Sequence, residues 1–120
     1  MAKPQTFGEY VRSKREGLAK SDRTYSVRQV AKRVGLEPSY LSKIERGKQP
    51  PPGEDKICLL ANDLGDNPDF LLAMAGKVST DVLNTIRERP MLFAELLRAL
   101  KTQPNKTVQR LVQVVRDGEW

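Results

Sequence analysis

SVRQVAKRVGLEPSYLSKIERG runs from Ser26 to Gly47, and its reading decides the fold. Ser26 with Gln29 three residues on spells a capping box. Val30, Ala31 and Val34 follow at the spacing of one face of a short helix. Gly35 is the residue type that ends a helix in the left-handed conformation. Pro38 suits the first turn of a second helix, where its missing N–H costs nothing. Leu36, Leu41 and Ile44 face inward, and Gly47 closes that helix. Ser39, Tyr40, Ser42 and Lys43 remain on the other side, a polar face that a purely core-filling helix does not need. Two short helices joined at Gly35-Leu36, with small Ala31 where they approach, follow the grammar of a helix-turn-helix. In that motif the second helix is offered to the DNA major groove.

The rest of the chain reads helical as well. Thr6 and Glu9 fit a capping box for a first helix that carries Phe7, Val11 and Leu18 and runs to about Ala19. Ser21-Asp22-Arg23-Thr24 is a polar connection. Lys48 to Gly53, with three consecutive prolines, is the clearest break, because proline cannot continue a helix. A fourth helix from about Glu54 to Leu64 turns Ile57, Leu60, Ala61 and Leu64 inward, with Cys58 packed nearby. Asp66-Asn67-Pro68 starts a short fifth helix in which Phe70, Leu71 and Met74 are apolar. Beyond Gly76, Ser79 or Thr80 caps a helix with Val82, Leu83 and Ile86. Pro90 opens another with Phe93, Leu96, Leu97 and Leu100. Asn105 or Thr107 caps a last one bearing Val108, Leu111, Val112 and Val115. The expected class is all-α, with a DNA-binding domain over residues 1–76 and a helical region over residues 77–120.

Charge separates the two parts. Residues 1–52 hold 12 Lys and Arg against 5 Asp and Glu, a net +7, whereas residues 53–120 hold 9 against 10, a net −1; together these give the chain's +6. The excess positive charge therefore lies wholly in the half that carries the motif, which suggests a nucleic-acid partner for it. Cys58 is the only cysteine and histidine is absent. An internal disulfide is excluded, and the usual zinc sites and the commonest general base are missing. No Gly-rich phosphate loop or metal-ligand cluster appears, so neither an enzyme nor a cofactor or metal is expected. No apolar run is long enough to span a membrane, and MAKPQTFGEY lacks the apolar core of a secretory signal. A cytoplasmic location is the expectation.

Ser26, Val30-Ala31, Gly35 and the stretch YLSKIERGK from Tyr40 to Lys48 resemble the lambda repressor/Cro-like helix-turn-helix family, also called the XRE family. The resemblance covers about residues 6–75 and implies that family's five-helix DNA-binding domain, followed here by a helical C-terminal extension. There are two departures. Val27 stands where the family often has a phosphate-holding Gln, a role Arg28 can take in part. The connection between the first two helices is a few residues longer than usual. The resemblance also implies a structural ion pair between Arg15 and Glu45, tying the third helix to the scaffold.

The resemblance places base contacts at Glu37, Pro38, Ser39, Tyr40 and Lys43. Lys43 can donate to guanine O6 and N7. Ser39 can donate or accept, and so discriminates less. Glu37 either accepts from a cytosine amino group or merely caps the helix. Pro38 or the Tyr40 ring can touch a thymine methyl, and Tyr40 can equally turn its hydroxyl to a phosphate. Phosphate contacts fix register without reading sequence. The candidates are Arg28, Ser42, Lys48 and Gln49, with the helix N-terminus near Ser26 and Val27. Arg23, Lys32 and Arg33 supply field.

One such module presents too few base readers to find a genomic site, and a two-fold dimer on half-sites roughly 34 Å apart is the usual solution. The expected function is that of a transcriptional regulator, most simply a repressor acting as a homodimer on a palindromic operator. An antitoxin-like protein that masks a partner toxin through residues 77–120 is the alternative. The apolar stripes of residues 77–120 either pack on the chain's own core or form a dimer or partner surface. Trp120 is either docked in a groove or left for a partner.

Overall fold

The structure is a computed structural model that describes residues 5–118; Trp120 lies outside the described residues. Among them the chain forms eight α-helices, one 3-10 turn and no strand. The helices are α1 (Phe7–Ala19), α2 (Val27–Val34), α3 (Pro38–Glu45), α4 (Glu54–Leu64), α5 (Pro68–Met74), α6 (Thr80–Glu88), α7 (Pro90–Leu100) and α8 (Asn105–Asp117), and the 3-10 turn is Arg23–Tyr25. The chain divides into two compact units between Ser79 and Thr80.

In the first unit the helix ends follow from local chemistry. Thr6 Oγ1 accepts from the Glu9 N–H at 3.2 Å, and the Glu9 carboxylate takes the Thr6 N–H at 3.3 Å, a complete capping box. At α2 only half of the expected box forms. Ser26 Oγ accepts from the Gln29 N–H at 3.2 Å, but the Ser26 N–H donates to the Arg23 carbonyl at 3.3 Å. The 3-10 turn has already used the donor that Gln29 would have held. Gly35 ends α2 at φ +75° and Gly65 ends α4 at φ +79°, both in the left-handed region glycine favours.

The core joins Phe7 and Val11 of α1, Val30, Ala31 and Val34 of α2, Leu41 and Ile44 of α3, Ile57, Leu60, Ala61 and Leu64 of α4, and Leu71 and Leu72 of α5. Each fully buried aliphatic side chain among these contributes roughly 1.5–3 kcal/mol. In α5, Leu71 and Leu72 face the core. Leu72, not Phe70, is buried; Phe70 is 46% exposed and meets Tyr10 edge-to-face, with ring centroids 5.2 Å apart. Cys58 is half-buried against the core, and burial, helped by the charges of Glu54, Asp55 and Asp69, pushes its thiol pKa up, away from the reactive thiolate.

The second unit contains α6, α7 and α8. None of its described residues is buried; Leu83, Ile86, Phe93, Leu100 and Leu111 are half-buried. Met91 stays 79% exposed, Leu92 64% and Val115 60%. Asn105 is the first residue of α8 rather than its cap. Pro104 occupies the cap position with extended backbone and offers no side-chain hydrogen bond. No described helix is long and apolar enough to cross a membrane.

Candidate nucleic-acid interface

α2 and α3 are set against each other by a three-residue connection, Gly35-Leu36-Glu37. The Leu36 N–H donates to the Ala31 carbonyl at 2.9 Å, closing the last turn of α2. Lys56, reaching from α4, donates its Nζ to the Val34 carbonyl at 3.3 Å. A cation at a helix C-terminus is favoured by the helix dipole, so this contact fixes the turn from behind. A Cβ at Gly35 would stand 2.6 Å from that Nζ.

The inner face of α3 is locked by three devices. Leu41 and Ile44 enter the core. Glu45 receives Arg15 Nε at 2.7 Å and Nη2 at 2.8 Å, while Arg15 Nη1 donates to the Tyr25 carbonyl at 3.2 Å. Both side chains are buried, and the hydrogen bonds to Glu45 hold the guanidinium pKa above its ordinary value against the opposing effect of burial. Gly8 of α1 lies against the carbonyls of Ile44 and Glu45, closer than any side chain would allow. One arginine thus ties α1, the 3-10 turn and the end of α3 together, and one glycine sets the distance between them.

With that face fixed, helical periodicity turns Ser39 and Lys43, four residues apart, directly away from the core. Both are exposed, as is Glu37; Pro38, Tyr40 and Ser42 are half-buried on the flanks, and the Tyr40 ring packs partly on the core. Glu37 stands at the cap position of α3 but makes no side-chain cap bond. Lys48 and Gln49 follow α3, both exposed; the Lys48 N–H donates to the Lys43 carbonyl at 2.8 Å, and Gly47 turns the chain at φ +73°. Arg28 is exposed in the first turn of α2, whose leading N–H groups lie outside the helix's own bonding ladder.

Ion pairing sorts the cations of this half. Arg12 pairs with Glu16, Lys14 with Asp66, Arg15 with Glu45 and Arg33 with Asp63. Lys20, Arg23, Arg28, Lys32, Lys43, Arg46 and Lys48 have no carboxylate partner among the described residues. The unpaired charges therefore run from the end of α1 through the helix-turn-helix to the residue after its closing glycine. An unneutralised basic surface of this kind is the electrostatic footprint of a polyanion partner.

Arg33 does not belong to that field. Its guanidinium donates to Asp63 at 2.6 and 3.0 Å and lies 5.1 Å over the Tyr25 ring, so its charge is spent inside the scaffold. Asp22 accepts from the Thr24 hydroxyl and N–H at 2.6 and 2.9 Å, which holds its carboxyl below the usual range. The longer connection after α1 is in this way a capped, clamped 3-10 turn. Arg46 was not singled out in the sequence, yet it is exposed, follows α3 directly and spends only Nε, on the Ser42 carbonyl at 3.3 Å. Its place one residue past the last turn was the available signal. No cluster of metal-ligating side chains occurs among the described residues.

Residues 6–65, half of the chain, match the helix-turn-helix domain family, and the chain belongs to that family. It is thereby a DNA-binding protein of the helix-turn-helix class. No curated protein and no solved structure matches it.

Proposed function

We propose that this chain is a sequence-specific transcriptional regulator of the lambda repressor/Cro-like, XRE type, with residues 1–76 as its five-helix DNA-binding domain. It is not an enzyme. In this reading α3 lies in the major groove, and Glu37, Pro38, Ser39, Tyr40 and Lys43, at its head and along its outer side, reach base edges. Arg28, Ser42, Lys48 and Gln49, joined by Arg46, hold phosphates and set the register. The observation that carries the reading is the sorting of charge. Within residues 1–52, Arg12, Lys14 and Arg15 of α1 are held in ion pairs, whereas in the helix-turn-helix only Arg33 is, and Arg28, Lys32, Lys43 and Arg46 are left without a carboxylate partner among the described residues.

The protein acts in the cytoplasm as a homodimer that occludes a promoter, with residues 77–120 supplying the two-fold contact. Support for that contact comes from Met91, Leu92, Leu97 and Val115, apolar side chains exposed by more than half. Large apolar side chains left to solvent in this number favour an interaction surface. They equally favour an antitoxin-like protein whose residues 77–120 mask a toxin, and the mass of the purified chain in solution separates the two. A dimer supports self-association, and a monomer favours a foreign partner.

The decisive test is selection from random oligonucleotides with the full-length protein at near-physiological salt, because low salt flatters any basic surface. A palindromic enriched motif is the expected result. Failure to enrich any motif overturns the regulator reading.

A further inference from the structure

The first unit holds a cleft of about 570 Å³ where the start of α1, the end of α3, the proline segment and the end of α5 converge. A volume of this size accepts a small molecule. Its floor is the edge of the core, Phe7 of α1 and Ile44 of α3, which are 5% and 2% exposed. Pro50 and Pro51 form one side, and the half-buried Met74 and Ala75 form another. Lys48 stands exposed at the rim.

This lining selects the chemistry of an occupant. Proline has no N–H, so the Pro50-Pro51 side gives no donor. The side chains of Phe7, Ile44, Met74 and Ala75 carry no oxygen or nitrogen. A polar body would lose its hydrogen bonds to water there and gain none in return. The rim is different. Lys48 has no carboxylate partner among the described residues, and no Asp or Glu among them lines the cleft. The floor is complemented by a hydrocarbon or aromatic body, and the rim by an anion.

We propose that this cleft binds a small apolar carboxylate, its body on Phe7 and Ile44 and its charge on Lys48, and that the occupant releases the protein from DNA. Release follows from the shared cation. Lys48 is the residue given above to a DNA phosphate, and the ligand takes its ammonium. The ligand also sets a negative charge beside the same phosphates, which repel it. Ligand and DNA therefore weaken each other's binding by the same factor. Release rests on the DNA-binding reading; the site itself does not.

Octanoate tests this on the full chain at fixed ionic strength, beside octanol (the chain without the charge) and acetate (the charge without the chain). In amide NMR spectra octanoate should shift Phe7, Gly8, Gly47 and Ala75 saturably, and acetate should shift none of them. Octanol on wild type, and octanoate on Lys48→Gln, should each bind about two- to fivefold more weakly, as a partly exposed ion pair allows. Lys48 is exposed, so Lys48→Gln should melt as wild type does. Saturating octanoate should weaken binding to the selected DNA by about fivefold or more. No saturable shift at the cleft overturns the site. So do shifts confined to the exposed apolar side chains of α7, which would mark a detergent-like coating. Equal affinity for octanol and octanoate, or an unchanged affinity in Lys48→Gln, overturns the carboxylate assignment. Saturable binding with DNA affinity unchanged overturns release. If the chain selects no DNA sequence, the regulator reading falls and release with it, while the amide shifts still decide the site.

Discussion

Arg15 and Glu45, thirty residues apart, meet in a buried two-point contact of 2.7 and 2.8 Å that joins the middle of α1 to the last residue of α3. The pair orients α3 more surely than it stabilises the fold, because two charges give up water to form it. Removing one partner leaves the other buried and unmatched. Glu45→Ala should therefore lower the unfolding free energy by about 3–5 kcal/mol, whereas Arg15→Met with Glu45→Leu should recover most of that loss. Urea denaturation of the single and double variants checks both. If the double variant is stable but binds DNA poorly, the pair serves placement of α3.

Gly8 is the second determinant of that placement. A Cβ there would run into the Ile44 carbonyl, which is backbone and cannot swing aside. Gly8→Ala should cost about 1–3 kcal/mol, as overpacking of a filled core does. Gly17, on the same helix with open space around it, should accept alanine with a small gain, since alanine is the better helix former. Thermal melts of the two variants should move in opposite directions.

Local signals carried most of the fold. The Thr6–Glu9 box, Gly35, Pro38 and the triple-proline break each act within a few residues, and the structure contains them where the chain's chemistry puts them. The misread features each hinge on something distant or on a competitor for the same atom. The Ser26 N–H went to the Arg23 carbonyl because a 3-10 turn formed just before it. Arg33 looked like a free cation because Asp63, which neutralises it, lies thirty residues away.

Tyr10 gives the fold an alkaline limit. Its hydroxyl donates to Asp66 Oδ2 at 2.8 Å, and burial first, then the bond to Asp66 and its negative charge, raise the phenol pKa above its ordinary 10.0. The folded state therefore holds this proton more tightly than the unfolded chain does. The resulting stability is fully present below pH 10, the unfolded value, and is lost as pH rises through the folded pKa. Tyr10→Phe keeps the ring contact with Phe70 and removes the proton. Its unfolding free energy should fall less steeply than wild type's above pH 10, as denaturation at stepped pH would reveal.

Three cations of the helix-turn-helix make different use of their charge, and salt separates them. Lys48 is exposed, unpaired and past the end of α3, where a cation meets phosphate. Lys48→Ala should weaken all DNA sequences alike and reduce the slope of log affinity against log salt by about 1. Lys43 points outward from the middle of α3, and Lys43→Ala should instead relax the preference at one base pair by roughly 1–3 kcal/mol. Arg33 is already neutralised by Asp63 at 2.6 Å, so Arg33→Ala should leave the salt slope unchanged. It should lower stability only modestly, as partly exposed ion pairs do, by about 1 kcal/mol or less. Binding titrations across a series of salt concentrations, on the selected sequence and on a scrambled one, give all three numbers. A reduced slope in Arg33→Ala would mean that the Asp63 clamp opens on DNA and that Arg33 counts among the phosphate contacts.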